Sequence, residues 1–162
     1  MNDMTITIPD EFVYNNTAAL EAKLAGFKKA GIDQLQVVLD FDRTLTVGKS
    51  KNYYDSTSWG ILRSHLPAED TTRVDEIKRK YRALEEAGTL TAEEAVEWWT
   101  SSLDIMVEGR LDMTAVENDF MSKSTIRSGT RELFAVCEKY NVPTIIMSAG
   151  VREVIEIWCK AY

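Results

Sequence analysis

The sequence contains few of the residues that build metal centres and disulfides, with two cysteines and one histidine in 162 residues. Cys137 and Cys159 both fall in stretches of helical periodicity, which indicates two small thiols in a reducing compartment. His65 has no second imidazole with which to share a metal ion, so we expect it to be a partly exposed structural residue. The composition therefore argues against a disulfide-stapled domain and against a metal site built on cysteine or histidine.

Positive charge and long hydrophobic runs are also scarce. The chain has 26 acidic and 19 basic side chains and a net charge of −7, and it lacks the basic stripe that a nucleic-acid polymer would need. No apolar run approaches the roughly 18 residues of a membrane-spanning helix, and the first residues do not resemble a secretory signal. We therefore expect a cytoplasmic protein with neither a membrane nor a nucleic-acid polymer as partner. A small anionic ligand stays possible, because a local loop and one metal ion can overcome a diffuse negative field.

Apolar strands and amphipathic helices alternate towards both ends of the chain. Helical periodicity predicts helices over about residues 17–30 and 129–140 and after Gly150. Continuous apolar runs over residues 35–40 and 143–147 predict two strands that are buried on both faces, as in a parallel sheet. A sheet normally needs three or more strands for independent stability. The pattern thus predicts an α/β fold whose core is incomplete.

The middle of the chain has the pattern of several helices without strands. The stretch from Thr91 to Glu94 is a capping box that opens one of these helices, and residues 114–117 suggest the start of another. We therefore predict an α/β core formed by residues 1–48 and 124–162, with a helical insert over residues 49–123.

Two carboxylates close the first predicted strand, in the loop that runs from Asp40 through Asp42 to Thr44. In open α/β sheets, ligands bind outside the carboxyl ends of the strands. Asp40 is the candidate nucleophile, forming an aspartyl-phosphate, and Asp42 is the candidate general acid and base. A Mg²⁺ ion held by Asp40 and Asp42 would offset the repulsion between carboxylate and phosphate, and the Thr44 hydroxyl can orient one carboxylate. The structural alternative for an Asp-x-Asp pair is a turn or a cap.

A short hydroxyl residue closes the second predicted strand, in the tripeptide Ser148-Ala149-Gly150. At the end of a strand and the start of a helix, the Ser148 hydroxyl and the nearby backbone N–H groups can bind a phosphate oxygen. The tripeptide alone would equally suit an ordinary helix cap. Its combination with the Asp40–Thr44 loop favours phosphate binding.

These two motifs, each at the end of a strand, resemble the first two motifs of the haloacid dehalogenase superfamily. Longer stretches make the sequence similar to one branch, the cytosolic type III, or pyrimidine, 5′-nucleotidases, over roughly residues 30–160. The stretches are Val38–Thr46, Lys80–Glu85, Val96–Ser102 and Arg127–Phe134, with a continuation over Asn141–Gly150. The resemblance implies a partial, Rossmann-type core with an inserted helical cap. It also implies Mg²⁺-dependent hydrolysis of nucleoside 5′-monophosphates, pyrimidine nucleotides in particular, to nucleoside and phosphate.

The same resemblance assigns roles to residues of the helical insert. Glu85 matches a cap glutamate that contacts the nucleobase, and Ser102 matches a cap serine that lines the same pocket. A carboxylate can accept hydrogen bonds from an exocyclic amine such as that of cytosine. Trp98 and Trp99 could stack on a base, although aromatic pairs in helical bundles more often belong to the core. For Glu85 the structural alternative is a solvated helix face.

The resemblance ends after the second motif. In the family, a lysine that braces the phosphate and an acidic motif that completes the metal site would follow Tyr162, and Lys160 comes too soon to take the bracing role. We therefore expect a chain truncated at its C-terminus, either as a truncated gene product or as a fragment of a longer sequence, which by itself binds Mg²⁺ and nucleotide poorly or does not turn over. Two alternatives stay open. One is another capped phosphatase of the superfamily that acts on a small phosphometabolite, and the other is an inactive nucleotide-binding or interaction module.

Overall fold

A computed structural model of the chain describes residues 15–48 and 56–162, which divide into two compact units. The described part of the first unit contains residues 15–39 and 131–146, and the second unit contains the rest. These boundaries differ from the predicted ones, and the division into an α/β core and a helical cap remains a proposal.

The described residues form short strands and longer helices, with four helices in succession over residues 58–123. None of these helices combines the length and the apolar character that crossing a membrane requires. In chain order the elements are α1 (Thr17–Ala30), β1 (Val37–Leu39), β2 (Thr46–Gly48), α2 (Ser58–Ser64), α3 (Ala68–Glu86), α4 (Ala92–Glu108), α5 (Met113–Lys123), β3 (Ser124–Ile126), α6 (Thr130–Lys139), β4 (Thr144–Ile146) and α7 (Arg152–Ala161).

The first unit confirms the predicted pair of parallel strands. Strands β1 and β4 run in the same direction, with Val37 opposite Thr144 and Leu39 opposite Ile146. Helix α1 has the predicted bounds, because the Asn16 side chain accepts a hydrogen bond from the N–H of Ala19 at 2.9 Å and caps the first turn. Parallel pairing places the carboxyl ends of β1 and β4 at one edge of the sheet.

The prediction that both strands are buried on both faces is wrong. Val38 is 53% exposed, Ile145 is 42% exposed, and α1 buries none of its residues. A sheet of only two strands has too little apolar surface to bury the faces of the helices that pack on it. Too few helices and strands pack on the two strands to bury their own side chains. The first unit therefore has the incomplete core that the strand count predicts.

The second unit contains an antiparallel strand pair that the sequence pattern did not predict. Strand β2 pairs with β3, with Thr46 opposite Ile126 and Gly48 opposite Ser124. Each strand has three residues, which is too short for an alternating pattern to stand out from its surroundings. The pairing therefore links the segment directly after the Asp40–Thr44 loop with the segment directly after α5.

The helices of the second unit follow their sequence signals closely. Thr91 and Glu94 form the predicted capping box, in which each side chain accepts the backbone N–H of the other residue, at 2.9 and 3.2 Å. Helix α5 begins at Met113, slightly before the expected start at Thr114, because the Asp112 carboxylate accepts the N–H of Thr114 at 2.9 Å. Within the predicted insert, residues 56–123 contain helices and no strand, and residues 49–55 lie outside the described residues.

Three aromatic side chains form the centre of the second unit. Phe41 and Phe120 are fully buried, and Trp158 is 1% exposed. The Phe41 ring lies 5.4 Å from the Trp158 ring in an edge-to-face arrangement and 6.3 Å from the Phe120 ring, measured between centroids. Phe41 stands between Asp40 and Asp42 in the sequence, so its burial anchors the loop that carries both carboxylates.

The substitution Phe41→Ala is expected to lower the free energy of unfolding by about 3–5 kcal/mol, because it leaves a cavity beside Phe120 and Trp158. The matched change Phe27→Ala removes the same ring from a side chain that is 58% exposed, and its cost should stay below about 1 kcal/mol. Urea unfolding followed by tryptophan fluorescence measures both. If Phe41→Ala does not fold, Phe41→Leu replaces it, with an expected loss of about 1–2 kcal/mol. Equal losses at positions 27 and 41 would contradict the anchoring role.

Candidate active site

A cavity of about 350 Å³ in the second unit gathers the two strand-end motifs and the helices α3 and α4. Its volume is typical of small-molecule sites. Six of the seven predicted site residues line it, and Thr44 does not. The lining residues are Asp40, Asp42, Trp59, Val74, Lys78, Arg82, Glu85, Trp98, Trp99, Ser102, Ser148, Ala149 and Gly150.

Thr44 reaches the site through Asp40 and not through the cavity wall. Its hydroxyl donates a hydrogen bond to the Asp40 carboxylate, with 3.2 Å between Oγ1 and Oδ2. Asp40 itself is exposed and lines the cavity. The geometry thus gives Thr44 an orienting contact with the candidate nucleophile.

Asp42 is held by a residue that the sequence reasoning did not single out. The backbone N–H of Ser58 donates to Oδ1 of Asp42 at 2.9 Å, and the Ser58 hydroxyl donates to Oδ2 at 2.7 Å. Burial raises the pKa of the Asp42 carboxyl, and the nearby negative charge of Asp40 adds to this effect. The two hydrogen bonds from Ser58 act in the opposite direction without reversing it. Burial thus makes the Asp42 carboxyl harder to ionise than an ordinary aspartate.

Ser58 also connects the two strand-end motifs. Its hydroxyl oxygen accepts a hydrogen bond from the N–H of Val151 at 3.0 Å while its proton goes to Asp42. Gly150 lies so close that a Cβ atom there would meet the Ser58 hydroxyl oxygen at 2.7 Å and Oδ2 of Asp42 at 3.1 Å. Only glycine fits this approach. The sequence signals were a hydroxyl pair, Thr57-Ser58, and a glycine after the second strand, and neither is specific.

The second motif presents a serine hydroxyl and a fixed backbone to the cavity. The Ser148 oxygen accepts the N–H of Gly150 at 3.0 Å, a bond that leaves the hydroxyl proton for another acceptor. The indole N–H of Trp59 donates to the carbonyl of Ala149 at 2.8 Å and holds the loop. Helix α7 has Val151 as its N-cap and no side-chain cap, so Ser148 does not act as the ordinary cap of that helix.

One face of α3 lines the opposite wall of the cavity. Val74, Lys78, Arg82 and Glu85 follow one another at helical spacing and extend over about 16 Å. Arg82 donates to the Glu85 carboxylate at 2.6 Å, and the Glu85 side chain is 48% exposed. Burial is the main cause that lowers the pKa of Lys78, helped by the neighbouring charges of Arg63 and Arg82. Sequence reasoning named Glu85 and missed the two cations, which are unremarkable in a charged helix.

Helix α4 contributes two tryptophans and a buried serine. The Trp98 ring stacks on Tyr81 with 5.9 Å between centroids and an angle of 17° between the planes. Trp99 is 46% exposed, so the pair lines the cavity and does not form a buried core. Ser102 is 4% exposed, and its hydroxyl donates to the carbonyl of Trp98 at 2.8 Å. The remaining lone pair of the Ser102 oxygen can accept a hydrogen bond.

The carboxylates of Asp40 and Asp42 suit a hard divalent cation. Mg²⁺ in proteins is commonly bound by one or two carboxylates together with water and substrate phosphate oxygens. Among the described residues, no group of three or more acidic, histidine or cysteine side chains is placed to hold a metal ion. The donor set at this site therefore fits a Mg²⁺ ion that shares its coordination with water and a phosphate ester.

Comparisons with known proteins agree with this chemistry. The family model UMPH-1, pyrimidine 5′-nucleotidase, matches residues 43–161. A "7-methylguanosine phosphate-specific 5′-nucleotidase" from Gallus gallus is 33% identical over 144 residues, which cover 82% of this chain and 48% of the relative. Its counterpart from Drosophila melanogaster is 28% identical over 160 residues, which cover 93% of this chain and 50% of the relative. The chain thus spans about half the length of the curated relatives it matches.

A solved structure shows the same fold. The crystal structure of "cytosolic 5′-nucleotidase IIIB (cN-IIIB) bound to cytidine" superimposes with a TM-score of 0.68 and 24% identity, covering 88% of this chain and 50% of the other. The likeness confirms the predicted fold class, a partial haloacid dehalogenase-like α/β fold with helical additions. With a family match over residues 43–161, the chain belongs to the pyrimidine 5′-nucleotidase family, within the haloacid dehalogenase type of cytosolic 5′-nucleotidases.

Proposed function

We propose that this protein hydrolyses nucleoside 5′-monophosphates to nucleoside and phosphate at the cavity that contains Asp40 and Asp42. The observation that carries the proposal is that these carboxylates, the Ser148–Gly150 loop and the base-binding candidates Glu85 and Ser102 line one cavity. Phosphatase chemistry needs the carboxylates and the phosphate-binding loop, and selection of a nucleoside needs the base-binding candidates.

Asp40 is the proposed nucleophile. Its carboxylate oxygen forms a bond to phosphorus as the bond from phosphorus to the 5′ oxygen breaks, which produces an aspartyl-phosphate. Asp42 gives its proton to the departing 5′ oxygen and then takes a proton from the water that cleaves the aspartyl-phosphate. The contact from Thr44 to Asp40 and the two from Ser58 to Asp42 keep the carboxylates in separate orientations, which supports two separate roles.

The phosphate is held from the second motif. Ser148 has a hydroxyl proton to donate, and the Ala149 backbone lies beside it at the cavity wall. Asp40 and Asp42 are the residues that would hold a Mg²⁺ ion, which when bound supplies positive charge against the repulsion between carboxylate and phosphate. The carboxylates of Asp40 and Asp42 lie at the phosphate end of the cavity, and this is where such a counter-charge would act.

The helical insert is the proposed cap, and it selects the base. Glu85 can accept hydrogen bonds from the exocyclic amine of cytosine or from the amine and ring N–H of a guanine. The relatives named for 7-methylguanosine phosphate add a second substrate class to the pyrimidine nucleotides. A 7-methylguanine ring carries a positive charge, which the faces of Trp98 and Trp99 and the carboxylate of Glu85 would attract. The cytosolic name of the structural neighbour supports a cytoplasmic location.

The substitution Asp40→Asn is expected to lower phosphate release from nucleoside 5′-monophosphates by roughly 10³-fold or more, because an amide cannot form the acyl-phosphate. Asp104→Asn is the control, since Asp104 is exposed on α4 and lies outside the cavity. A malachite green assay measures the released phosphate. Unchanged turnover in Asp40→Asn would remove the mechanism, and nucleotide binding without phosphate release by the unsubstituted chain would favour an inactive binding module.

Removal of Mg²⁺ is expected to abolish phosphate release and to weaken binding of CMP more than binding of cytidine, because Asp40 and Asp42 would hold the ion and its positive charge would offset the repulsion between carboxylate and phosphate. Titration calorimetry with CMP and with cytidine, each with Mg²⁺ and with EDTA, measures the effect. Readdition of Mg²⁺ should restore both the release of phosphate and the affinity for CMP. Equal loss of affinity for CMP and cytidine would place the ion away from the phosphate.

The substitution Glu85→Gln is expected to weaken binding of the preferred nucleoside about 10-fold or more, because a hydrogen bond to a charged group contributes roughly 1.5–3 kcal/mol. Glu86→Gln is the matched control, since Glu86 also pairs with Arg82 but does not line the cavity. Calorimetry with cytidine, uridine and 7-methylguanosine ranks the bases, and phosphate release from CMP, 7-methylguanosine monophosphate, phosphoserine and a sugar phosphate tests selectivity. If Glu85→Gln slows all these phosphate esters equally, the nucleotide selectivity proposed for the cap is wrong.

A further inference from the structure

Arg127 is placed beside the Asp40–Thr44 loop by the antiparallel strand pair. It follows Ile126, the last residue of β3, whose partner on β2 is Thr46. The backbone N–H of Arg127 donates to the carbonyl of Leu45 at 2.9 Å, which extends the ladder by one bond beyond the strands. The strand pair therefore delivers the Arg127 side chain to the loop in front of β2.

The guanidinium group of Arg127 binds two consecutive backbone carbonyls of that loop. Its Nε donates to the carbonyl oxygen of Thr44 at 2.7 Å, and its Nη2 donates to the carbonyl oxygen of Arg43. With the backbone bond to Leu45, a single residue satisfies three successive carbonyls. The planar, forked geometry of a guanidinium suits two neighbouring acceptors, and an ammonium group cannot reproduce it.

The Asp40–Thr44 loop has a backbone conformation that hydrogen bonds from outside the loop can stabilise. Arg43 has a φ of 66°, in the left-handed region that residues other than glycine adopt uncommonly. The internal hydrogen bonds of the loop converge on the carbonyl of Phe41, from the N–H groups of Thr44 at 3.2 Å and Leu45 at 3.0 Å. These bonds hold the inside of the turn, whereas Arg127 holds the carbonyls on its outside.

We propose that Arg127 is a positioning residue for the nucleophile. It fixes the Arg43 and Thr44 peptides, and through them it keeps the Thr44 hydroxyl within hydrogen-bond distance of the Asp40 carboxylate. Arg127 does not line the cavity, so it acts through the loop and not on the substrate. The proposal rests on the proposed function in one respect, that Asp40 is the group whose orientation matters.

The first test separates positioning from substrate binding. Arg127→Ala is expected to lower kcat for the best nucleoside 5′-monophosphate about 10- to 100-fold with KM unchanged, because a misoriented nucleophile slows the chemical step. Arg127→Lys should recover part of kcat, since one ammonium can satisfy one carbonyl. Arg73→Ala is the matched control, because the Arg73 guanidinium also makes two hydrogen bonds, to Asp70 and Glu108, on the outer surface of the same unit. An unchanged kcat, or a change in KM alone, would overturn the proposal.

The second test does not need turnover. Hydrogen exchange measured by NMR should show the Thr44 and Leu45 amides exchanging about 10-fold faster in Arg127→Ala, with the amides of α4 unchanged. Equal acceleration throughout the unit would mean a general loss of stability and would overturn the positioning role. If the unsubstituted chain releases no phosphate from any nucleotide, the proposed function fails, and the exchange of these two amides alone decides whether Arg127 holds the loop.

Discussion

The candidate site depends on the burial of one side chain, that of Phe41, between two carboxylates that must stay at the surface of a cavity. Phe41 is fully buried against Phe120 and Trp158, whereas Asp40 and Asp42, on either side of it in the sequence, line the cavity. The carbonyl of Phe41 also accepts the N–H groups of Thr44 and Leu45. Phe41 thus holds the loop in two ways: its buried ring fixes the position of the loop, and its carbonyl accepts the hydrogen bonds that form the turn.

The electrostatics of the cavity follow from where each carboxylate is held. Asp42 is partly buried and accepts two hydrogen bonds from Ser58, and burial is the largest cause that raises its pKa from the ordinary value. Asp40 is exposed and bonded once, to Thr44. Two chemically identical groups, separated by one residue, therefore have different environments, which is the condition for one of them to act as a nucleophile and the other as an acid. Lys78 and Arg82 are the cations of the cavity wall.

In the proposed function, the two walls of the cavity would bind different parts of a nucleotide. The strand-end loops offer groups suited to a phosphate, and these groups are tied together through Ser58, which contacts both Asp42 and Val151. Helices α3 and α4 offer a carboxylate, a buried hydroxyl and indole faces, which suit a heterocyclic base. Relatives in the family are named for 7-methylguanosine phosphate, and the solved neighbour is described with cytidine. A flat ring with an exocyclic amine is the feature that these two bases share.

The sequence by itself determined the helices and the parallel strand pair, and it predicted the chemistry of the loops, because these depend on local signals. The helix capped by Asn16, the capping box at Thr91, the parallel strands and the Asp-x-Asp motif could all be identified from residue type and spacing. The resemblance to the family then named Glu85 and Ser102, which the structure brings to the same cavity as Asp40. Exposure was not predictable, since Val38 and Ile145 have the composition of buried strands.

Only the tertiary structure decided which side chains hold the motif in place. Ser58 lies 16 residues from Asp42 along the chain, and Arg127 lies 83 residues from Thr44. Neither contact leaves a periodic or compositional trace, because a hydrogen bond between distant residues requires only that the fold bring one donor to one acceptor. The strands β2 and β3 are likewise too short to be seen in the sequence, yet their pairing is what carries Arg127 to the loop.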